Sequence, residues 1–112
     1  MSHEPTVIQD NEFQSEVLQA SEPVLVYFWA SWCGPCRLMS PIMGDLASEY
    51  GDRLKIVKME VDPNPEAVAT YNVEGVPALR LFKAGEVVAD SEGAISKPQI
   101  QQLLEAHVSS PA

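Results

Sequence analysis

Cysteine is scarce: the 112 residues hold only two, Cys33 and Cys36, too few for the disulfide framework that staples small secreted domains. A bridge between them would close so short a loop that it would hardly constrain the unfolded chain, so stability is a poor reason for their presence. Histidine is equally rare, with His3 near the start and His107 near the end. A structural zinc ion wants four ligands, which this set is badly spaced to supply. Basic residues are few, 7 against 16 acidic, and the formal net charge of −9 opposes binding to phosphate backbones or anionic headgroups. Proteins are the expected partners, not nucleic acid or membrane, although solubility alone also accounts for the charge. No apolar stretch approaches bilayer length, and Met1-Ser2-His3-Glu4-Pro5 lacks the basic residues and apolar run of a signal peptide. A soluble protein of a reducing, cytoplasmic compartment is expected. There is no Gly-rich phosphate loop and no ligand set, so no bound cofactor and no metal are expected.

What is present has the make-up of one globular domain spanning residues 1–112, with 46% hydrophobic and 21% charged residues. After an apolar start at Val7-Ile8, Asp10 is placed to cap a first helix carrying Phe13, Val17 and Leu18, ended by Ser21-Glu22-Pro23. Val24 to Ala30 runs without alternation through β-branched and aromatic residues, the pattern of a strand buried on both faces near the middle of a sheet. From Gly34 to about Tyr50 apolar residues recur at helical spacing, with Pro41 inside expected to kink the helix. Leu54 to Val61 reads as a strand, Asp62-Pro63-Asn64-Pro65 as a turn and Glu66 to about Tyr71 as a short helix. Val76-Pro77 opens a strand through Phe82, Ala84-Gly85 turns it, Glu86 to Ala89 returns, and Gly93 breaks the hairpin. Ser96 with Gln99 forms a capping box for a last helix striped by Ile100, Leu103, Leu104 and His107 or Val108, and Ser109 to Ala112 should fray. The order βαβαβα then ββα predicts an α/β fold: one mixed sheet of about five strands, parallel early and closed by an antiparallel hairpin, flanked by about four helices.

Cys33 stands where the buried strand hands over to a helix N-terminus, and the unpaired N–H groups and dipole there favour an anion, here a thiolate. Three residues of helix is nearly one turn, which brings Cys36 back toward Cys33 at a distance suited to a disulfide, one turn deeper. Cys33 is then the attacking sulfur and Cys36 the resolving one, through a mixed disulfide with substrate. A zinc half-site and a pair of inert buried cysteines are the plain alternatives, and the strand-to-helix setting favours redox chemistry over both.

Phe28-Trp29-Ala30-Ser31-Trp32-Cys33-Gly34-Pro35-Cys36-Arg37, with Pro41 beyond, closely resembles the active-site segment of thioredoxins, and the likeness runs on through Val61-Asp62-Pro63-Asn64-Pro65, Gly75-Val76-Pro77, Lys83-Ala84-Gly85-Glu86 and Gly93-Ala94. The resemblance implies the thioredoxin fold and reduction of protein disulfides. Thioredoxin is itself the reference case for a thiol lowered from about 8.5 to about 7, which raises the ionised fraction at neutral pH from about 3% to about half. Pro77 would correspond to the family's cis-proline, with the Val76 backbone pairing with bound substrate. Trp32, Gly34, Pro35, Gly75, Val76, Pro77, Gly93 and Ala94 would form a shallow docking surface around Cys33, the competing reading of Trp32 being a core aromatic. The implied partners are disulfide-containing target proteins and a thioredoxin reductase, flavin- or ferredoxin-dependent, with the chain itself a monomer.

One position departs from the family pattern. Tyr27 stands on the strand where many thioredoxins carry a buried aspartate thought to take the proton from the deeper cysteine. A phenol with pKa near 10 is a poor base at neutral pH. Lys58, matching the family's neighbouring lysine, reads either as part of a solvated strand face with Lys55 and Glu60 or as a buried group that tunes the site. Two other functions stay open on the sequence: a disulfide isomerase or oxidase on the same fold, and a binding module that uses the surface around Trp32 without redox turnover. Redox poise separates the first, since a reducing thioredoxin near −270 mV and a strong oxidant near −120 mV differ by about 7 kcal/mol for two electrons.

Overall fold

The computed structural model describes residues 4–108, so His3 and the expected fraying of Ser109 to Ala112 lie outside the described residues. At the centre of its sheet is β2 (Val24–Trp29), whose first five residues are all buried. A strand with no polar face cannot lie at an edge next to water, and β2 accordingly pairs on both sides. To one side lies β3 (Lys55–Glu60), parallel, with Tyr27 opposite Lys58 and Phe28 opposite Met59. To the other lies β4 (Ala78–Lys83), antiparallel, with Phe28 opposite Ala78. Beyond these, β1 (Thr6–Val7) pairs with β3 in parallel and β5 (Glu86–Glu92) with β4 in antiparallel fashion, giving the order β1-β3-β2-β4-β5. This is the expected mixed sheet with a terminal hairpin.

Among the described residues three α-helices flank the sheet: α1 (Cys36–Tyr50), α2 (Pro65–Thr70) and α3 (Lys97–Glu105). Against one face pack α1 and α3, through Met39, Met43, Leu46, Ile100 and Leu104 onto Leu25, Tyr27, Ile56, Leu79 and Leu81. Against the other pack the N-terminal helical segment and α2, with Phe13, Val17, Ala67 and Val73 on Val26, Phe28, Val57 and Phe82. Each of the Val, Leu, Ile, Met and Phe side chains among them contributes roughly 1.5–3 kcal/mol by leaving water. On the α2 face Phe13, Tyr71 and Phe82 form an aromatic trio with ring centroids 5.0–5.5 Å apart.

Local signals behave as the sequence predicts at several points. Ser96 caps α3, accepting from the Gln99 N–H while the Gln99 side chain accepts from the Ser96 N–H. Ala84 and Gly85 both take left-handed backbone angles (φ 53° and 80°), as a two-residue hairpin turn matched to strand twist requires. The helix through Pro41 is continuous, and it begins at Cys36 rather than Gly34, with Pro35 already at helical angles (φ −60°, ψ −25°).

The first helix differs from expectation. Residues Asp10–Glu12 form a 3-10 turn and Gln14–Leu18 a π turn, capped by Gln9 rather than Asp10. The Asp10 carboxylate instead accepts from the backbone N–H groups of Glu66 and Ala67, both at 3.0 Å, while its own N–H donates to Asn64 Oδ1. Asp10 therefore caps α2, whose N-terminal amides would otherwise lack partners. The returning strand is also longer than Glu86 to Ala89: it pairs as far as Glu92 opposite Ala78, with a bulge where the register shifts between Leu81 and Phe82.

Candidate functional site

Two chain segments far apart in sequence meet at one end of the sheet, because β2 ends where its antiparallel neighbour β4 begins. From the end of β2 the chain turns through Ser31 to Pro35 into α1, and Cys33 is held in that turn by its N–H donating to the Ala30 carbonyl at 3.2 Å. Cys33 and Cys36 are joined by a disulfide with Cα atoms 5.4 Å apart, inside the range that bridging allows. Both cysteines are buried, Cys33 at 5% and Cys36 at 2% exposure. The backbone N–H of Cys36, the first residue of α1, donates to Cys33 Sγ at 3.2 Å. A donor at the positive end of a helix dipole is thus aimed at Cys33 Sγ, a setting that favours negative charge on that sulfur.

The second segment supplies the surface beside the sulfurs. The Val76–Pro77 peptide bond is cis, and Val76 packs with Val61 and Trp29 against Ala30, Cys33 and Cys36. Trp32, Gly75 and Val76 line a shallow groove of ≈ 150 Å³ together with Val61, Val68, Val73 and Glu74. Trp32 is no core aromatic: it is 67% exposed, with its indole N–H donating to Asp62 Oδ2 at 2.9 Å. Gly34 and Pro35 are exposed on the turn between the cysteines. Gly93, at φ 95°, donates its N–H to the Pro77 carbonyl at 2.8 Å, which ties the end of the hairpin to the cis-proline. Ala94 is exposed next to it.

Tyr27 reaches the site from beneath. Its ring is fully buried in the α1 face of the core and its hydroxyl donates to the Cys36 carbonyl at 2.9 Å, with Ser40 Oγ 3.1 Å away. The Ser40 hydroxyl donates to the same carbonyl at 3.0 Å. Burial pushes the Tyr27 phenol above its ordinary 10, with the Ser40 hydrogen bond a smaller opposing effect. Lys58, opposite Tyr27 on β3, is half-buried with its ammonium 5.5 Å from the centre of the Trp29 ring, an arrangement of cation over π-face.

Sequence reasoning passed over Ser40, and no local pattern marks it, since a serine one turn into a helix is ordinary until a tyrosine from the sheet meets it. It also passed over Arg80 and Glu92, an ion pair at 2.7 Å beside the Gly75 segment. The available signal was a lone charge within the apolar run Ala78-Leu79-Arg80-Leu81-Phe82. Among the described residues no group of three or more His, Cys, Asp or Glu side chains is placed to hold a metal ion, and no helix is long and apolar enough to cross a membrane.

With this geometry in view, the comparisons with known proteins agree with one another. The thioredoxin family profile matches residues 4–106. A thioredoxin-like protein of Synechocystis sp. is 62% identical over 97 residues, covering 87% of this chain and 89% of that protein. The thioredoxin of Acidithiobacillus ferridurans is 44% identical over 108 residues, 96% of this chain and 100% of its own. Thioredoxin 1 of Nostoc sp. is 41% identical over 101 residues, covering 90% and 94% respectively.

Proposed function

Because the chain belongs to the thioredoxin family and is thereby a thiol-disulfide oxidoreductase acting on protein disulfides, we propose that Cys33 is its nucleophile and Cys36 its resolving thiol. The observation that carries this assignment is the Cys36 N–H aimed at Cys33 Sγ at 3.2 Å. In the dithiol form that amide and the helix behind it favour the Cys33 thiolate. The thiolate attacks one sulfur of a substrate disulfide, forming a Cys33–substrate bond and releasing the other substrate sulfur as a thiolate. Cys36 then gives up its proton and attacks Cys33, which expels the second substrate sulfur and leaves the Cys33–Cys36 bridge. Two electrons pass from the dithiol to the substrate, and a reductase must return them.

The groove of Trp32, Gly75 and Val76, with Gly34, Pro35, Pro77, Gly93 and Ala94 around it, is the docking surface in this reading. An extended substrate segment pairs with the Val76 backbone and sets its disulfide over Cys33. Tyr27 takes no proton from Cys36 at neutral pH: its own proton is directed to the Cys36 carbonyl and burial raises its pKa. The Cys36 proton leaves through water or passes to the substrate thiolate expelled from Cys33, with the Lys58 ammonium tuning the site by its charge, while Tyr27 orients the first turn of α1. The chain works as one thioredoxin domain over residues 1–112, as a cytoplasmic monomer in electron transport, reduced by a flavin- or ferredoxin-dependent thioredoxin reductase and needing no bound cofactor.

Single-cysteine variants test the roles. Cys33→Ser abolishes dithiol-driven reduction of protein disulfides, and Cys36→Ser accumulates substrates as mixed disulfides on Cys33, seen as adducts that dithiothreitol releases. Retained turnover in Cys33→Ser, or adducts forming through Cys36 in preference to Cys33, would reverse the assignment.

A further inference from the structure

A guanidinium buried in the sheet lies outside the chemistry described so far. Arg80 is 6% exposed in β4, on the face it shares with Ala78 and Phe82. A charge in such a place is costly unless its donors are met, and the partners of Arg80 have a consistent direction. Nε donates to the Tyr71 carbonyl at 3.1 Å and Nη2 to the Asn72 carbonyl at 3.1 Å. Nη1 donates to the Leu79 carbonyl at 3.0 Å, and Nη2 also to Glu92 Oε2 at 2.7 Å. Tyr71 is the C-cap of α2 and Asn72, at φ 54°, follows it. Carbonyls there have no helical partner and face the negative end of the dipole, so a cation is well matched to them.

Glu92 completes the arrangement from β5, diagonal to Arg80 across the hairpin. Its other oxygen, Oε1, lies 3.9 Å from where a Cβ on Gly75 would stand. The Arg80 hydrogen bond holds its carboxyl below the usual range against the effect of burial, with the backbone amides of Glu74 and Gly75 adding to the lowering. Arg80 thus grips the start of the segment 71–75 and Glu92 its end, next to the cis Val76–Pro77 bond.

We propose that Arg80 and Glu92 are positioning residues that fix the segment Val73 to Val76 at the height over Cys33 at which a protein substrate can pair with it and present its disulfide to the sulfur. This rests on the docking surface assigned above. A small disulfide needs only access to Cys33, whereas a protein substrate needs the sulfur and the Val76 backbone in register. Loss of the clamp therefore separates the two kinds of substrate.

The test compares steady-state reduction of insulin, a protein disulfide, with that of dithiobisnitrobenzoate, a small aromatic disulfide, in Arg80→Met, Glu92→Gln and Val76→Asp. Arg80→Met is expected to raise KM for insulin about tenfold, and Glu92→Gln, which keeps Arg80 in place, about threefold. In both, kcat and the small-disulfide rate should stay within about twofold. Equal losses on both substrates, or an unchanged KM for insulin, would overturn the clamp. Should Arg80→Met not fold, Glu92→Gln decides alone, since the Glu92 side chain is 36% exposed and its loss leaves the core intact. Val76→Asp distinguishes the two levels: if it raises KM for insulin while the clamp variants do not, only the clamp fails, and if it too leaves KM unchanged, the docking surface itself is wrong.

Discussion

Replacing Tyr27 probes how this site manages a proton without the family's usual aspartate. Tyr27→Phe keeps the buried ring in the α1 face and removes only the hydroxyl that donates to the Cys36 carbonyl at 2.9 Å. Ser40 still donates to that carbonyl at 3.0 Å, so no acceptor is stranded, and the loss is one net hydrogen bond of about 0.5–1.5 kcal/mol. In a chain of this size that lowers Tm by about 4–8 °C per kcal/mol, readable by calorimetry. The rate of disulfide reduction between about pH 6 and 9 should keep its shape, because a phenol raised above 10 does not titrate there. Tyr27→Asp is the contrasting perturbation. It empties ring volume at a position with no solvent exposure, at a cost of about 3–5 kcal/mol if it resembles other large-to-small core changes. It also buries a carboxyl whose pKa desolvation raises above the unfolded 3.9 or so. A group with a raised folded pKa favours the fold below its unfolded value and loses that contribution as pH climbs through the folded value, so this variant should weaken from mildly acid to neutral pH. Its pH–rate profile should gain an inflection that the parent lacks. A shift of the parent profile in that window on Tyr27→Phe would mean that Tyr27 is not the inert substitute for a base that its hydrogen bonding describes, and an unchanged profile in Tyr27→Asp would count against any tuning role for position 27.

Three further outcomes follow from contacts elsewhere in the fold. Asp10→Ala should cost about 1 kcal/mol through loss of the α2 cap and speed hydrogen exchange at the Glu66 and Ala67 amides, which now donate to Asp10; unaltered exchange at those two amides would contradict the cap. Phe82→Ala, which removes the ring shared by Phe13 and Tyr71, should lower stability by about 3–5 kcal/mol in urea titration, and a loss under about 1 kcal/mol would mean that the trio repacks. Glu92, depressed chiefly by its hydrogen bond to Arg80, stabilises the fold above the unfolded carboxylate value near 4.5 and loses that contribution as pH falls through its folded value. The stability gap between the parent and Glu92→Gln should therefore stay full from neutral pH down to about 4.5 and close as pH falls further, whereas a pH-independent gap would remove charge from the explanation.

The parts of the fold legible in the sequence were those written in neighbouring residues. The unbroken apolar run Val24 to Trp29 announced a central strand because a strand with two buried faces has nowhere to put a polar side chain. Ser96 with Gln99 and the turn at Ala84-Gly85 announced themselves through side chains and backbone angles that act within a few residues. Cys33 and Cys36 were legible for the same reason, since only three positions separate them across the turn that enters α1. Asp10 was misassigned because its acceptor atoms serve a helix 56 and 57 residues further on, and a capping signal carries no address. The first helical segment departed from regular α geometry for a related reason, its course being set by packing of Phe13 and Val17 onto the sheet rather than by local propensity. Arg80 offered a visible anomaly, but its partners Tyr71, Asn72 and Glu92 come together only when the hairpin and α2 are in place.

The antiparallel pairing of β2 with β4 has a practical corollary for anyone who wishes to attach something to this molecule. Because β4 starts at the sulfurs and runs away from them, the hairpin tip at Ala84-Gly85 lies a full strand of six residues distant, about 20 Å at the usual rise. A fluorophore or an electrode tether grafted onto that tip would leave the working end unobstructed and turned outward.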